Sequence, residues 1–438
     1  MSTIVKRGLY TLIFILVVVG VGFLNQVSIM TWLASKGSIK FISTLAEPIL
    51  PTQQVDWASA EPGTGSNSEE LPNIIIILAD DLGWNDISFY GGGLGNGAVQ
   101  TPNIDRIAAE GVHFSNGYAG NATCAPSRAA LLTGRYPTRY GFEFTPAPAS
   151  LMSLVATFDS HREQLHPGYF LEENLSDFPP LEDQGVPTTE ILLPEILASK
   201  DYHSILLGKW HLGESEGYTP NDRGFDEFLG FLAGGAMFAE YDDPAMIKSI
   251  QEFDGIDQFL WPNLTFAVRY NKEQRFKPDE YMTDYLSHQA VRAIEANKDR
   301  PFFMYLSYNA PHTPLHAMKS DYDSLSMIES HTERVYGAMM LSLDRGIGKV
   351  IDAVEAAGIS DNTLIIFSSD NGGADYVGLP NLNAPYRGWK MTFFEGGTHV
   401  PFFMRWPNRI EAGTKYQRPV THIDIFSTIA AAANVNVP

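Results

Sequence analysis

Asn73-Ile74-Ile75-Ile76-Ile77-Leu78 is a β-branched run of strand length with no polar face. A half-buried strand alternates apolar and polar residues, because successive Cβ atoms point to opposite sides. A run that is apolar on both sides must be covered on both sides, which is the condition of a central strand in a parallel sheet. Residues 204–208, 302–306 and 363–368 repeat the pattern. Helical patterns lie between them, at 104–110 stopped by Gly111, at 283–297, and at 331–357 stopped by Gly358. This alternation predicts an α/β fold with a mostly parallel central sheet flanked by helices.

Residues 71–438 read as one domain without internal repeats. Upstream, Lys6-Arg7 precede an apolar run from Leu12 to Leu24, the pattern of an export signal or a signal-anchor within residues 1–40. Residues 27–34 extend the run towards the roughly 20 apolar residues a hydrocarbon core requires. No small-x-small cleavage site follows directly, which favours an uncleaved membrane anchor with its basic end cytoplasmic. The body of the protein is then exported, either membrane-anchored or free in a periplasmic or extracellular space. Residues 41–70, rich in Pro, Ser, Gly, Glu and Gln, read as a linker. With 30 basic and 51 acidic residues the formal charge is −21, which argues against nucleic acid as a partner.

The chain has a single cysteine, Cys124, so no internal disulfide forms. It opens Cys124-Ala125-Pro126-Ser127-Arg128, where Pro126 suits a first helical turn and Gly134 suits the helix end. Cys124 is then expected just before a helix N-terminus, a place that favours anions. Taken alone, such a thiol reads equally well as a small buried hydrophobe. Asp80-Asp81 follow the first apolar strand, and Asp370-Asn371 follow the strand at 363–368. Ligands bind beyond the carboxyl ends of strands in open α/β sheets, so the two pairs can converge. Three carboxylates and an amide make a hard oxygen set, suited to Ca²⁺ or Mg²⁺ and poorly suited to zinc. Either pair alone reads more readily as turn residues. Lys209 and His211 stand two apart in Gly208-Lys209-Trp210-His211-Leu212-Gly213, and an extended chain turns both to one side. His312 lies between Pro311 and Pro314 in Asn309-Ala310-Pro311-His312-Thr313-Pro314, a loop of restricted backbone.

Together these motifs, with Pro220-Asn221-Asp222-Arg223-Gly224-Phe225-Asp226 and the Lys390 segment Arg387-Gly388-Trp389-Lys390, resemble the sulfatase family. The resemblance covers residues 71–438 and implies an alkaline phosphatase-like catalytic domain that hydrolyses an aryl or carbohydrate sulfate monoester. It implies that Cys124 is matured to formylglycine (3-oxoalanine) by a formylglycine-generating enzyme. It also implies one Ca²⁺, with Mg²⁺ or Mn²⁺ as substitutes, held by Asp80, Asp81, Asp370, Asn371 and residue 124. In that scheme one hydroxyl of the formylglycine hydrate attacks sulfur, and Lys209, His211, Lys390 and Arg128 face the sulfate and the nucleophile. His312 protonates the leaving oxygen, a general-acid step worth about 10²- to 10⁴-fold. The Pro220–Asp226 stretch is expected to be structural. Family members usually continue into a small C-terminal antiparallel subdomain, for which residues 71–438 leave no sequence. A phosphonate or phosphodiester hydrolase of the same superfamily, or an inactive binding protein on the same fold, are the alternatives. Substrate specificity is expected from residues 142–190 and 232–280, rich in aromatic and acidic side chains.

Overall fold

The structure is a computed structural model that describes residues 40, 44, 46–60, 71–147 and 179–437. Nine strands form one sheet. In chain order they are β1 (Asn73–Ala79), β2 (Val112–Phe114), β3 (His203–Lys209), β4 (Glu227–Phe231), β5 (Arg269–Tyr270), β6 (Phe302–Ser307), β7 (Thr363–Ser369), β8 (Phe402–Arg405) and β9 (Thr414–Tyr416). Their spatial order is β9-β2-β8-β7-β1-β6-β3-β4-β5. The five central strands β7, β1, β6, β3 and β4 are mutually parallel. The antiparallel pairings β7–β8, β8–β2 and β4–β5 lie outside them.

Every residue of β1 is buried, and alternate side chains enter different cores. Ile75 and Ile77 pack with residues of the helices α1 (Pro102–Ala109), α4 (Met282–Asn297) and α5 (His331–Ala356). Ile74, Ile76 and Leu78 pack with Ala129, Leu132 and Ile429, on the helices α2 (Cys124–Thr133) and α6 (His422–Ala432). Each such side chain removed from water contributes about 1.5–3 kcal/mol, which is why the strand has no polar side. A further helix, α3 (Gly255–Asn263), adds Trp261 to the core that holds Ile75 and Ile77.

One sequence expectation is modified. Residues 46–60 of the expected linker are docked on the domain: Val55 and Trp57 are buried, and the Trp57 indole donates to Gln289 on α4. Glu47 pairs with Arg269 and Arg275. The polar average of that stretch hides two apolar anchors. The apolar run from Leu12 to Leu24 lies outside the described residues, as do residues 61–70. Among the described residues no helix is long and apolar enough to cross a membrane.

Candidate active site

Parallel pairing brings four strand ends to one edge of the sheet. Ala79 of β1 pairs with Ser369 of β7, and Ser307 of β6 pairs with Leu78 and with Gly208 of β3. The next residues out are therefore Asp80-Asp81, Asp370-Asn371, Lys209 and the 308–314 loop. Gly208 is needed at this crossing, since a Cβ on it would lie 1.9 Å from the Ser307 carbonyl oxygen.

Cys124 is the first residue of α2, not the residue before it, and Gly134 closes the helix in the left-handed conformation with its N–H donating to Ala130 O. The thiol is 3% exposed, with Sγ 4.0 Å from Thr145 Oγ1. One turn on, Arg128 is fully buried. It donates from Nε and Nη2 to Asp370 Oδ2 at 2.9 and 2.7 Å, and from Nη1 to Ser307 Oγ and Lys209 O. Arg128 thus does not line the cavity as expected of it; it fixes Asp370.

Lys209 Nζ donates to Asp80 Oδ2 at 2.7 Å. Lys390 Nζ reaches Asp81 Oδ2 at 2.9 Å, Tyr376 OH at 2.9 Å and His312 Nε2 at 3.2 Å. Three carboxylates therefore stand against three cations. What this arrangement leaves over is acceptors. Asp80 Oδ1 and Asn371 Oδ1 are buried without any hydrogen-bond donor among the described residues. Such orphaned oxygens are costly in a protein interior and point to an electrophile between them. Asp80, Cys124 and Asp370 each bring a ligand-type atom within 4.8 Å of the others, and Asp80, Asp81 and His312 do likewise.

Burial and the neighbouring Asp370 push the Asp80 carboxyl up to about 8 against the pull of Lys209 and Arg128. Burial acts on Asp81 in the same direction, but Lys390, His312 and Lys209 hold it well below the carboxylate range. Burial and the adjoining Lys390 lower His312 to about 3. Its Nδ1 lies 2.6 Å from Thr313 O, which only accepts, so Nδ1 carries the proton and Nε2 faces the Lys390 ammonium as an acceptor. His312 was expected to hold the proton for the leaving oxygen. In this geometry the imidazole carries a proton at Nδ1, and Lys390 Nζ stands as the donor to Nε2.

His211 does not continue the extended chain. Its φ of +65° turns it away from the strand direction, so its proximity to Lys209 is the product of a turn. Gly234 permits its ring, since a Cβ there would lie 2.7 Å from Nε2. Burial, with Lys209 and Arg128, holds His211 well below the usual imidazole range. Asp81, at φ +64°, takes the same left-handed conformation, one that Asp tolerates better than most residues.

A cavity of 340 Å³ opens over Cys124, His211, His312, Lys390 and Tyr376. Its walls draw on both stretches expected to set specificity, through Phe144–Ala147 and Leu181 on one side and Ala233–Gly235 and α3 on the other. Tyr376, Ser307 and Glu214 escaped sequence reasoning, since none of them stands within a motif that the sequence singles out. Arg223 is buried and donates to Val186 O and Glu190 O, which is the structural role expected of its stretch.

The loop after β1 is braced by Asp86, whose Oδ2 accepts from Gly83 N at 2.6 Å and Tyr336 OH at 2.8 Å. Burial pushes its carboxyl up to about 8. A folded value above the unfolded one of about 3.9 means that folding takes up a proton. The associated stability is complete below pH 4 and is lost as pH rises through 8. The buried histidines act oppositely, since their lowered values cost stability only as pH falls below about 6.5. Between pH 6.5 and 8 the raised carboxylates set the sign. The melting temperature of metal-free protein is expected to fall across that window, with Asp86 contributing up to about 1.4 kcal/mol per pH unit. Asp86→Asn should flatten the decline; an equal slope in the variant would contradict the assignment.

A model of the family described as Sulfatase matches residues 72–435. The N-acetylgalactosamine-6-sulfatase of Homo sapiens is 32% identical over 380 residues, which are 85% of this chain and 64% of that protein. The chain thus spans less than two thirds of that relative. The steryl-sulfatase of Homo sapiens is 30% identical over 435 residues, covering 85% of this chain and 68% of that protein. Among solved structures, Ps i-CgsB in complex with k-i-k-neocarrahexaose superposes with a TM-score of 0.67 at 35% identity, covering 84% of this chain and 73% of that one.

Proposed function

The chain belongs to the sulfatase family, and on that premise we propose that it hydrolyses sulfate monoesters in the cavity over residue 124, as an exported protein. The observation that carries this reading is the convergence at four adjacent strand ends of Cys124, a carboxylate–amide cluster with two orphaned oxygens, and the cavity-facing His211, His312 and Lys390.

A divalent cation fits the cluster on two grounds. It would satisfy Asp80 Oδ1 and Asn371 Oδ1, and it would add positive charge to a site that has to receive an anionic ester. Asp80, Asp81, Asp370 and Asn371, with residue 124, would hold it, and this oxygen set suits Ca²⁺, with Mg²⁺ or Mn²⁺ as substitutes. When bound, the ion polarises sulfate oxygens and favours the ionised nucleophile. Residue 124, once matured to formylglycine by its generating enzyme, supplies a geminal hydroxyl as nucleophile.

The remaining work falls to the protein's own side chains. Lys209 and Arg128 hold Asp80 and Asp370 in place through direct hydrogen bonds. Lys390 and the neutral imidazole of His211 face the cavity, where hydrogen bonds to the sulfate oxygens are strengthened by exclusion of water. Lys390 holds a proton against His312 Nε2, and this shared proton is the one available to the departing alcohol oxygen while Thr313 O fixes the ring.

The relatives are named for a sugar sulfate and for a steryl sulfate, so they do not choose the alcohol. The test is turnover of 4-nitrophenyl sulfate against bis(4-nitrophenyl) phosphate by matured protein. A preference for the sulfate of at least about tenfold in kcat/KM is expected. The opposite preference would establish the phosphodiester alternative, and no turnover of either or of a sugar sulfate would leave a binding protein.

A further inference from the structure

The sulfate-binding groups occupy only the floor of the cavity. Helix α3 places Ile256, Phe259 and Leu260 along one wall at spacings of three and four residues, which is one helical face, and Leu264 continues it. Phe144 and Leu181 stand in the same lining. Beyond the groups on the floor, the one ionisable side chain among the described lining residues is Glu214. It keeps solvent access, and Arg269 and Arg275 act on it from outside the lining.

Resting on the sulfatase reading, we infer that the alcohol part of the substrate is a neutral, largely apolar phenol or ring alcohol of about two fused rings, and that Glu214 excludes alcohols carrying a second anion. A pyranose has hydroxyls on every edge, and an apolar wall leaves most of them without partners. A flat hydrocarbon ring gains from the same wall, on the order of 10- to 100-fold in kcat/KM for the area one ring can bury. A second carboxylate or sulfate on the alcohol meets no described lining cation other than Lys390, and it shares the cavity with the Glu214 carboxylate.

The experiment compares 2-naphthyl sulfate, 6-carboxy-2-naphthyl sulfate and N-acetylgalactosamine 6-sulfate with matured protein at mildly alkaline pH. The expected order places the neutral naphthyl ester first, by roughly 10-fold or more over each of the others. Glu214→Gln is expected to narrow the ratio between the neutral and carboxylated esters by about tenfold. Leu260→Asn should lower turnover of the naphthyl ester more than that of the sugar sulfate. Equal turnover of the two naphthyl esters by the unaltered protein, or a ratio unmoved by Glu214→Gln, overturns the inference.

Binding of the free alcohols to Cys124→Ala protein, followed by calorimetry, separates this inference from the catalytic reading. If 2-naphthol binds and 6-hydroxy-2-naphthoate does not, the cavity assignment stands even where no ester is hydrolysed. If the sugar ester is hydrolysed and 2-naphthol fails to bind, the sulfatase reading stands and the apolar-alcohol assignment falls.

Discussion

Cys124→Ala is expected to lower kcat on any sulfate ester the protein cleaves by about 10⁴-fold or more, while the fold survives. The magnitude follows from the site. Among the described lining residues, none of the other side chains on the cavity floor (His211, His312, Lys390, Tyr376) is a ready nucleophile toward sulfur. Both imidazoles are hemmed by cations, and Lys390 is a buried ammonium held protonated by Asp81. Removal of one sulfur atom from the first turn of α2 leaves every hydrogen bond of Arg128 in place, so the structural cost stays near the usual 1–2 kcal/mol. Thermal melting within a few degrees of the unaltered protein, together with lost turnover, is the expected pair of results. Mass spectrometry of the peptide bearing residue 124 supplies the chemical side, because conversion to formylglycine lowers its mass by about 18 Da. Turnover by Cys124→Ala would refute the nucleophilic role outright. Unmodified Cys124 in active protein would move the nucleophile to the thiol.

The parts of this site that sequence makes legible are those carried by strand ends. Ile74–Leu78 announces its own burial on both sides, and a residue following such a strand must emerge at the sheet edge, so Asp80, Asp81, Asp370 and Asn371 are placed before any coordinates exist. Arg128 follows from the helical turn that separates it from Cys124. Legibility fails where geometry depends on a turn or on a distant partner. Lys209 and His211 reach one site because His211 adopts φ +65°, and extended spacing gives the right neighbours for the wrong reason. Tyr376 bonds Lys390 and Asp81 from a short 3-10 segment that resembles no motif, and Ser307 ties Arg128 to Lys209 by strand register alone. The protonation of His312 is likewise invisible in sequence, since it depends on Thr313 O and on a lysine 78 residues away. Val55 and Trp57 show the limit of composition, which averages two buried anchors into a polar stretch.

Calcium is expected to raise the melting temperature of chelator-treated protein, and Asp80→Ala to abolish the rise. A ligand that binds only the folded state stabilises it by about 2.7 kcal/mol at a hundredfold excess over its Kd. For this site the gain has two identifiable sources, the donation-starved oxygens Asp80 Oδ1 and Asn371 Oδ1, and relief of the burial and the Asp370 repulsion that raise Asp80. Asp80→Ala removes one of those oxygens and frees Lys209 from its ion pair, so the variant keeps two carboxylates facing three cations and loses its attraction for a divalent ion. Turnover should fall with it by about 10³-fold or more, since the positive charge offered to the ester is lost. Asp86→Asn is the control, because Asp86 braces the same loop without facing the cluster, and its melting temperature should still respond to calcium. Magnesium and manganese distinguish the radius preference: a rigid oxygen set built for calcium responds less to the smaller ions. If none of the three ions moves the melting temperature, Lys209, Arg128 and Lys390 are the permanent counter-charges of the carboxylates. The sulfate would then have to displace a carboxylate from Lys390 in order to bind, and its affinity would rise when Asp81 is replaced by Asn.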